Sequence, residues 1–303
     1  MDYAIESTEL VKRYGARRAL DGLTLAVPRY AVLGLIGPNG AGKTTWMMSI
    51  AGLLHLHGGT INLLGCGPFD PAVHSGRITL LPQDSELPLE SRPIDLLTHY
   101  GLLQRLTRHE AKRTAIEMLR EVHLEDRLTA TVRSLSHGMR KRVMIAQCFI
   151  GSPELVLLDE PLSGLDPREA AHMRAFLTRR RGRQTLVISS HNLNDIEAMC
   201  DRVAFIEKGR TVRNTTLDEI IGTSSMLLYR VTAEPSDLSA IGAAVPRATL
   251  SFNAATGTVC CRYDPNRDSP AQINARVLPP LLAQCGVIDI SRGDSLEAAY
   301  LRE

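Results

Sequence analysis

The sequence predicts an α/β domain built on a largely parallel sheet, followed by a small α+β domain. Three observations carry this reading. Short apolar runs bounded by turn residues, "AVLGLI" at 31–36, "ELVLLD" at 154–159 and "QTLVISS" at 184–190, suit strands covered on both faces. A glycine-rich turn joins the first of these runs to a helical stretch. Small polar residues at 220–225 then interrupt the pattern, and a second, shorter set of strands and helices follows.

Taken in order, the first 65 residues show β-type alternation, as in "LTLAV" and "GTINLLG", around the glycine-rich turn. Residues 93–150 carry helical periodicity with few strand signals and read as a helical subdomain inserted into the α/β domain. A helical stretch around 167–181 separates the two later buried runs, as a parallel crossover requires. The interruption at "IIGTSS" sets the expected domains at 1–222 and 226–303. In the second, "MLLYRVTA", "DLSAIGAAV", "ATLSFNA", "TVCCRYD", "AQINARVLPPLLAQCG" and "VIDISR" give the order βαββαβ of a ferredoxin-like sandwich. Pro279 and Pro280 are expected to kink or end its second helix, because each lacks an N–H and clashes with the preceding turn.

Composition narrows the function classes. With 44% hydrophobic and 22% charged residues the chain has the balance of a soluble globular protein, which argues against disorder and against a membrane-embedded fold. A formal charge of +2 is too small for an extended nucleic-acid surface, so no nucleic-acid partner is expected. The longest apolar runs fall far short of the roughly 20 residues that span a bilayer. No secretory signal pattern opens the sequence, and a cytoplasmic location is expected. The six cysteines form no CxxC pair and read as reduced, structural thiols.

The chemistry is concentrated in a few stretches. "GPNGAGKTT" comprises Gly37, Pro38, Asn39, Gly40, Ala41, Gly42, Lys43, Thr44 and Thr45, and it matches GxxxxGK[ST] between a buried strand and a helix. Such a loop curls so that its N–H groups point at phosphate oxygens, and the following helix adds its positive dipole end. Lys43 then supplies a point charge to the outer phosphates and Thr44 a hydroxyl for Mg²⁺. "LVLLDEP" places Asp159 at the end of a strand, in reach of that metal, and the turn of the chain lets Glu160 face a water at the γ-phosphate as general base.

"LSHGMRKR", residues 135–142, admits three readings: a basic nucleic-acid patch, a Ser/His catalyst, or part of an anion site. Adjacent residues at a helix start diverge, and no orienting carboxylate accompanies Ser136 and His137, so a nucleophile is disfavoured. Ser136 suits the N-cap of a helix beginning about residue 137, and a helix N-terminus favours an anion. The outward members of the Arg140, Lys141, Arg142 triplet read as a solvated face.

Together with "LLPQ" ending in Gln83, "SGLD" ending in Asp166, "SSH" ending in His191 and Tyr14 in "VKRYG", these stretches resemble, in motif order and over residues 1 to about 222, the nucleotide-binding subunit of an ATP-binding cassette (ABC) transporter. The resemblance implies a P-loop NTPase cassette, with a mixed sheet core, an antiparallel β subdomain and a helical subdomain. It implies that Tyr14 stacks on adenine, that Gln83 contacts Mg²⁺ and the attacking water, that Asp166 lies at a subunit contact, and that His191 bonds the γ-phosphate. "LSHGM" departs from the family's usual LSGGQ at His137 and Met139, but Ser136 and Gly138 match the residues that hold a γ-phosphate in trans. The implied unit is therefore a head-to-tail dimer, expected to be a homodimer, that binds two ATP and drives separate transmembrane permease subunits from the inner face of the membrane. The closing "SLEAAYL" resembles the tail of bacterial ABC-2-type exporter cassettes. A soluble ABC ATPase acting on ribosomes, DNA or an assembly pathway stands as the alternative, and residues 226–303 as a structural cap or a regulatory module.

Overall fold

The structure is a computed structural model that describes residues 2–221, 226–254, 256–265, 267–292 and 296. The chain divides into two compact units, Met1–Thr215 and Thr216–Glu303. The division falls several residues before the 220–225 interruption, so the short helix that precedes the interruption belongs to the second unit.

In chain order the first unit contains β1 (Tyr3–Tyr14), β2 (Arg17–Pro28), β3 (Val32–Ile36), α1 (Lys43–Ile50), β4 (Gly58–Leu63), α2 (Pro71–His74), β5 (Ile78–Leu81), α3 (Pro93–Leu103), α4 (Arg108–Glu121), α5 (His137–Gln147), β6 (Leu155–Asp159), α6 (Pro167–Thr178), β7 (Thr185–Ser189), α7 (Leu193–Met199), β8 (Arg202–Glu207) and β9 (Arg210–Thr216). A six-stranded sheet has the order β5-β6-β7-β3-β8-β9, and its first five strands pair in parallel. The two-residue turn at Lys208 and Gly209 allows only an antiparallel return for β9, which makes the sheet mixed. Every residue of β3, β6 and β7 is buried, which is why these strands read as unbroken apolar runs. A separate antiparallel sheet, β2-β1-β4, packs its apolar face on α1. Trp46 is the anchor: its ring is fully buried, and its Nε1 donates to Ser7 Oγ (3.1 Å), which in turn donates to Leu25 O (2.8 Å).

The helical stretch expected at 93–150 is α3, α4 and α5. Thr107 and Glu110 form a capping box that starts α4, and Ser136 caps α5 by accepting from Met139 N at 3.1 Å.

The second unit contains α8 (Leu217–Ile221), β10 (Met226–Val231), α9 (Leu238–Ala243), β11 (Thr249–Asn253), β12 (Thr258–Arg262), α10 (Pro270–Gln284) and β13 (Val287–Arg292). Its sheet is antiparallel with order β11-β12-β10-β13, the ferredoxin-like arrangement expected from βαββαβ. One expectation fails here. α10 runs unbroken through Pro279 and Pro280, because Ile273, Val277 and Leu281 lie buried along one face, and that packing holds the helix across two missing hydrogen bonds. The tail "SLEAAYL" lies outside the described residues apart from Leu296.

Candidate functional site

The loop between β3 and α1 is shaped by two close approaches. A Cβ at Gly37 would lie 2.2 Å from Ile206 O, and Gly42 adopts φ 113° with Ala19 O 2.7 Å from where its Cβ would be. Only glycine fits either position, so the loop is drawn tight and the first N–H groups of α1 open onto a cleft. Lys43 Nζ reaches back over the loop and donates to Gly37 O (2.6 Å) and Pro38 O (3.2 Å).

That cleft is a cavity of about 420 Å³ whose lining includes Tyr14, Asn39, Gly40, Gly42, Lys43, Thr44, Thr45, Gln83, Asp159 and Glu160. Residues from four parts of the chain converge there. Thr44 Oγ1 donates to Asp159 Oδ2 at 2.5 Å, and Ser189 Oγ donates to Asp159 Oδ1. The same hydroxyl accepts from Glu160 N at 2.8 Å. Glu160 has φ 49°, a left-handed conformation that costs a non-glycine residue about 1–3 kcal/mol. The turn ends β6 and aims the carboxylate into the cleft, where Oε2 lies 2.9 Å from His191 Nδ1. Tyr14 stands at the rim, half exposed, with Lys12 Nζ 5.2 Å from its ring centre.

Electrostatics in the cleft follow from burial. Lys43 is only 8% exposed, and burial pushes its ammonium below the ordinary lysine range while Glu160 and Asp159 pull it back. Lys141 behaves in the same way: burial lowers its pKa, and Asp159, Glu160 and Asp84 oppose the shift. Two buried cations thus face the same carboxylates. The second went unseen in the sequence, because a residue in a basic triplet carries no local sign of burial.

The solvated face expected of the outward members of the 140–142 triplet is corrected on this point, since none of the three side chains is exposed. Lys141 is 5% and Arg142 7% exposed, and Arg140 is half-buried, its Nε donating to Leu135 O at 3.0 Å. Arg142 donates to Val122 O (2.8 Å), His123 O (3.1 Å) and Glu169 Oε1 (3.0 Å). The carbonyls left over at the end of α4 and a carboxylate on α6 therefore absorb its charge.

Ser136, Gly138 and Asp166 do not line the cleft; they form a second group. Asp166 is the N-cap of α6 and accepts from Glu169 N at 2.8 Å. Gly138 packs on Glu169, whose Oε2 lies 2.1 Å from where a Cβ would be, and His137 Nε2 lies 2.9 Å from the corresponding point at Gly164. The first turn of α5 and the start of α6 are thereby fitted together. Two further residues of these sites escaped sequence reasoning. Arg17 lines the cleft and reaches Gly40 O (3.3 Å), and Glu169 joins α5 to α6. Neither belongs to a motif, and only their contacts in the fold single them out.

Thr44, Gln83, Asp159 and Glu160 offer a hydroxyl, a carboxamide and two carboxylates to the cleft, all hard oxygens of the kind Mg²⁺ prefers. Among the described residues no group of three or more His, Cys, Asp or Glu side chains is disposed to hold a metal ion without further ligands. Such a donor set fits a metal that is also held by phosphate oxygens.

Comparison with known proteins agrees with this geometry. A profile of the ABC transporter family matches residues 20–163. A Nod factor export ATP-binding protein I of Rhizobium meliloti is 30% identical over 309 residues, covering 99% of this chain and 87% of the relative. A daunorubicin resistance ATP-binding protein of Streptomyces coeruleorubidus is 37% identical over 224 residues, covering 72% of this chain and 70% of the relative. A solved ATP-binding subunit of an ABC transporter superposes with a TM-score of 0.65 at 30% identity, over 72% of this chain and 91% of that one. With a nucleotide-type loop facing a carboxylate pair, and with identity of this level sustained along almost its whole length, the chain belongs to the ABC transporter family of ATP-binding proteins.

Proposed function

We propose that the chain hydrolyses ATP as the nucleotide-binding subunit of an exporter, working as a head-to-tail homodimer on separately encoded permease subunits at the inner face of the membrane. The observation that carries this is the convergence of Lys43, Thr44, Gln83, Asp159 and Glu160 on one cleft, while Ser136 and Gly138 lie apart from it on α5. A phosphate held by both groups needs a second copy of the chain. Export is supported by relatives named for Nod factor export and daunorubicin resistance. No described helix is long and apolar enough to cross a membrane, and the proposal assigns the passage to the permease.

In this reading Tyr14 stacks on adenine, backbone N–H groups of the loop and of the start of α1 surround the phosphates, and Lys43 leaves its loop carbonyls for the outer phosphate oxygens. Asn39 and Gly40 supply loop curvature, and Thr45 continues the row of donors along α1. Thr44, Asp159 and Gln83 would hold Mg²⁺, which when bound neutralises phosphate charge. Glu160 takes a proton from the attacking water as the water oxygen bonds to the γ-phosphorus and the bond to the ADP oxygen breaks. His191 fixes the carboxylate through Nδ1 and turns its other nitrogen toward the γ-phosphate. From the partner, Ser136 Oγ and Gly138 N–H close the same phosphate, with Asp166 at the seam.

Glu160→Gln tests the reading. It keeps the shape and removes the base, so ATP binding and nucleotide-dependent dimerisation persist while phosphate release falls by about 10²- to 10⁴-fold. Light scattering with saturating ATP and a phosphate-release assay read the two parts separately. Near-normal turnover removes Glu160 from its role, and a strictly monomeric variant removes the paired site.

A further inference from the structure

A cavity of about 640 Å³ in the first unit is distinct from the nucleotide cleft. It opens beside Glu154 and Thr185, where β6 and β7 begin, whereas Asp159 and Ser189 end the same strands. The length of β6, about 13 Å at 3.3 Å per residue, separates the two. Its walls come from the end of β2, from α4 and from the turn between α6 and β7, and they carry Arg29, Arg179, Arg180 and Arg183 against Glu121 and Glu154.

Both carboxylates are already engaged. Glu121 Oε2 accepts from Arg180 Nη2 at 2.9 Å, and Glu154 accepts from Arg29 Nη1 (3.0 Å) and Arg77 Nε (2.6 Å). Arg180 is further fixed by stacking 3.8 Å from the Phe176 ring centre and 4.9 Å from that of Phe149. Arg179 and Arg183 are exposed, and neither side chain makes a hydrogen bond or ion pair among the described residues. Cations complement the dipole at the end of α6, which explains Arg179. Arg29, just past the end of β2, is held by Asp2, Glu154 and Leu64 O, whereas Arg183 lies beyond the last turn of α6 and is explained neither by the dipole nor by a partner among the described residues.

The positive potential is also felt inside the wall. Burial pushes the pKa of Arg180 down, Glu121 opposes the shift, and Arg179 and Arg183 push it down again. Arg29, Arg77 and Arg180 are balanced by Asp2, Glu154 and Glu121, so the uncompensated charges are those of Arg179 and Arg183, together the complement of one phosphate dianion. Guanidinium forks match phosphate oxygens in pairs, and the volume lies within the roughly 300–1,000 Å³ of small-molecule sites. Tyr30, 56% exposed, offers a ring at the same edge.

We infer that this cavity binds a phosphate-bearing small molecule or headgroup, gripped by Arg179 and Arg183 over a floor of Arg29 and Arg180. The site is separate from the nucleotide cleft and bridges the helical subdomain and the sheet.

The test uses the full chain saturated with a non-hydrolysable ATP analogue, so that the cleft is occupied. Inorganic pyrophosphate is titrated calorimetrically, and sedimentation with phosphatidylglycerol vesicles, against phosphatidylcholine vesicles, provides the second arm. One pyrophosphate per chain is expected, weakened at least tenfold in Arg179→Ala/Arg183→Ala and weakened by raised salt. Both side chains are exposed and make no ion pair among the described residues, and the dipole interaction of Arg179 is worth at most about 1 kcal/mol, so the double variant stays folded with a melting temperature within a few degrees of the parent's, which is checked alongside. Pyrophosphate binding lost in the variant supports a free phosphorylated ligand, and vesicle binding lost in the variant supports a lipid headgroup. Binding of neither probe, or binding equal in parent and variant, overturns the inference.

Discussion

Replacing Gly138 by alanine places a methyl group 2.1 Å from Glu169 Oε2, where ordinary contacts begin at 3.4 Å. The carboxylate must retreat by more than an ångström. A free glutamate would do so at little cost, but this one is held by Arg142 Nη2 at 3.0 Å, and the Arg142 side chain is only 9% exposed. Loss of a charge-assisted bond at such a site costs about 1.5–3 kcal/mol. Arg142 keeps the carbonyls of Val122 and His123, which limits the loss, and alanine in a helix recovers up to about 1 kcal/mol over glycine. The net expectation is destabilisation by about 1–2 kcal/mol. Glu169→Ala alone should cost about 2 kcal/mol for the same reason. In the Glu169→Ala background the three atoms nearest the new methyl group, all from the Glu169 carboxylate, are gone, so Gly138→Ala becomes neutral or stabilising. Urea denaturation of the four proteins gives a coupling energy near 2 kcal/mol. If Gly138→Ala is as costly with Glu169 absent as with it present, the contact does not govern the site and the reasoning fails.

Two other expectations concern buried ionisable groups. Burial pushes the Cys148 thiol up to about 12 from its ordinary 9.0. Between these pH values the unfolded chain ionises the thiol and the folded chain does not, so the folded state binds more protons and stability falls as pH rises, by at most about 1.4 kcal/mol per pH unit. Cys148→Ser should therefore lose less stability than the parent between pH 9 and 11, and parallel urea midpoints would contradict this. Lys141 is buried and makes no ion pair among the described residues, although its charge is felt by Asp159 and Glu160. Lys141→Met should change stability by less than about 1 kcal/mol, since it relieves a buried charge, and lower ATP turnover by about tenfold, since it removes a buried cation whose charge acts on Asp159 and Glu160. Unchanged turnover would make Lys141 a bystander.

The parts of this protein legible in the sequence are those whose cause is local. Val32–Ile36, Leu155–Asp159 and Thr185–Ser189 are apolar throughout because both faces of each strand are covered, and that requirement leaves its mark in five consecutive residues. Gly37 and Gly42 stand where backbone approaches to Ile206 O and Ala19 O admit no side chain, so their spacing is legible before the loop is seen. Causes that lie across the fold are silent in the chain. Pro279 and Pro280 read as a break because helix rules are local, and only the buried row Ile273, Val277 and Leu281 explains why α10 continues. The outward members of the 140–142 triplet read as a solvated face because nothing nearby announces that the carbonyls of Val122 and His123 and the carboxylate of Glu169 are waiting for Arg142.

The same distinction explains how His137 is accommodated where the family usually has glycine. Its imidazole lies over Gly164, a residue with φ 79° and no Cβ, and a side chain there would come within 2.9 Å of Nε2. The bulk gained at 137 is thus accepted by bulk absent at 164, one residue of the first turn of α5 answering one of the turn before α6. Gly138 and Glu169 repeat the arrangement a step further on. Ser136 and Asp166 are the N-caps of the two helices joined by these contacts, so their positions are set by one packed unit and not by two independent loops. A displacement of α5 must then carry the start of α6 with it. In the proposed dimer, the residues offered to the partner's phosphate and those at the seam would move together, and filling the space at Gly164 should disturb both.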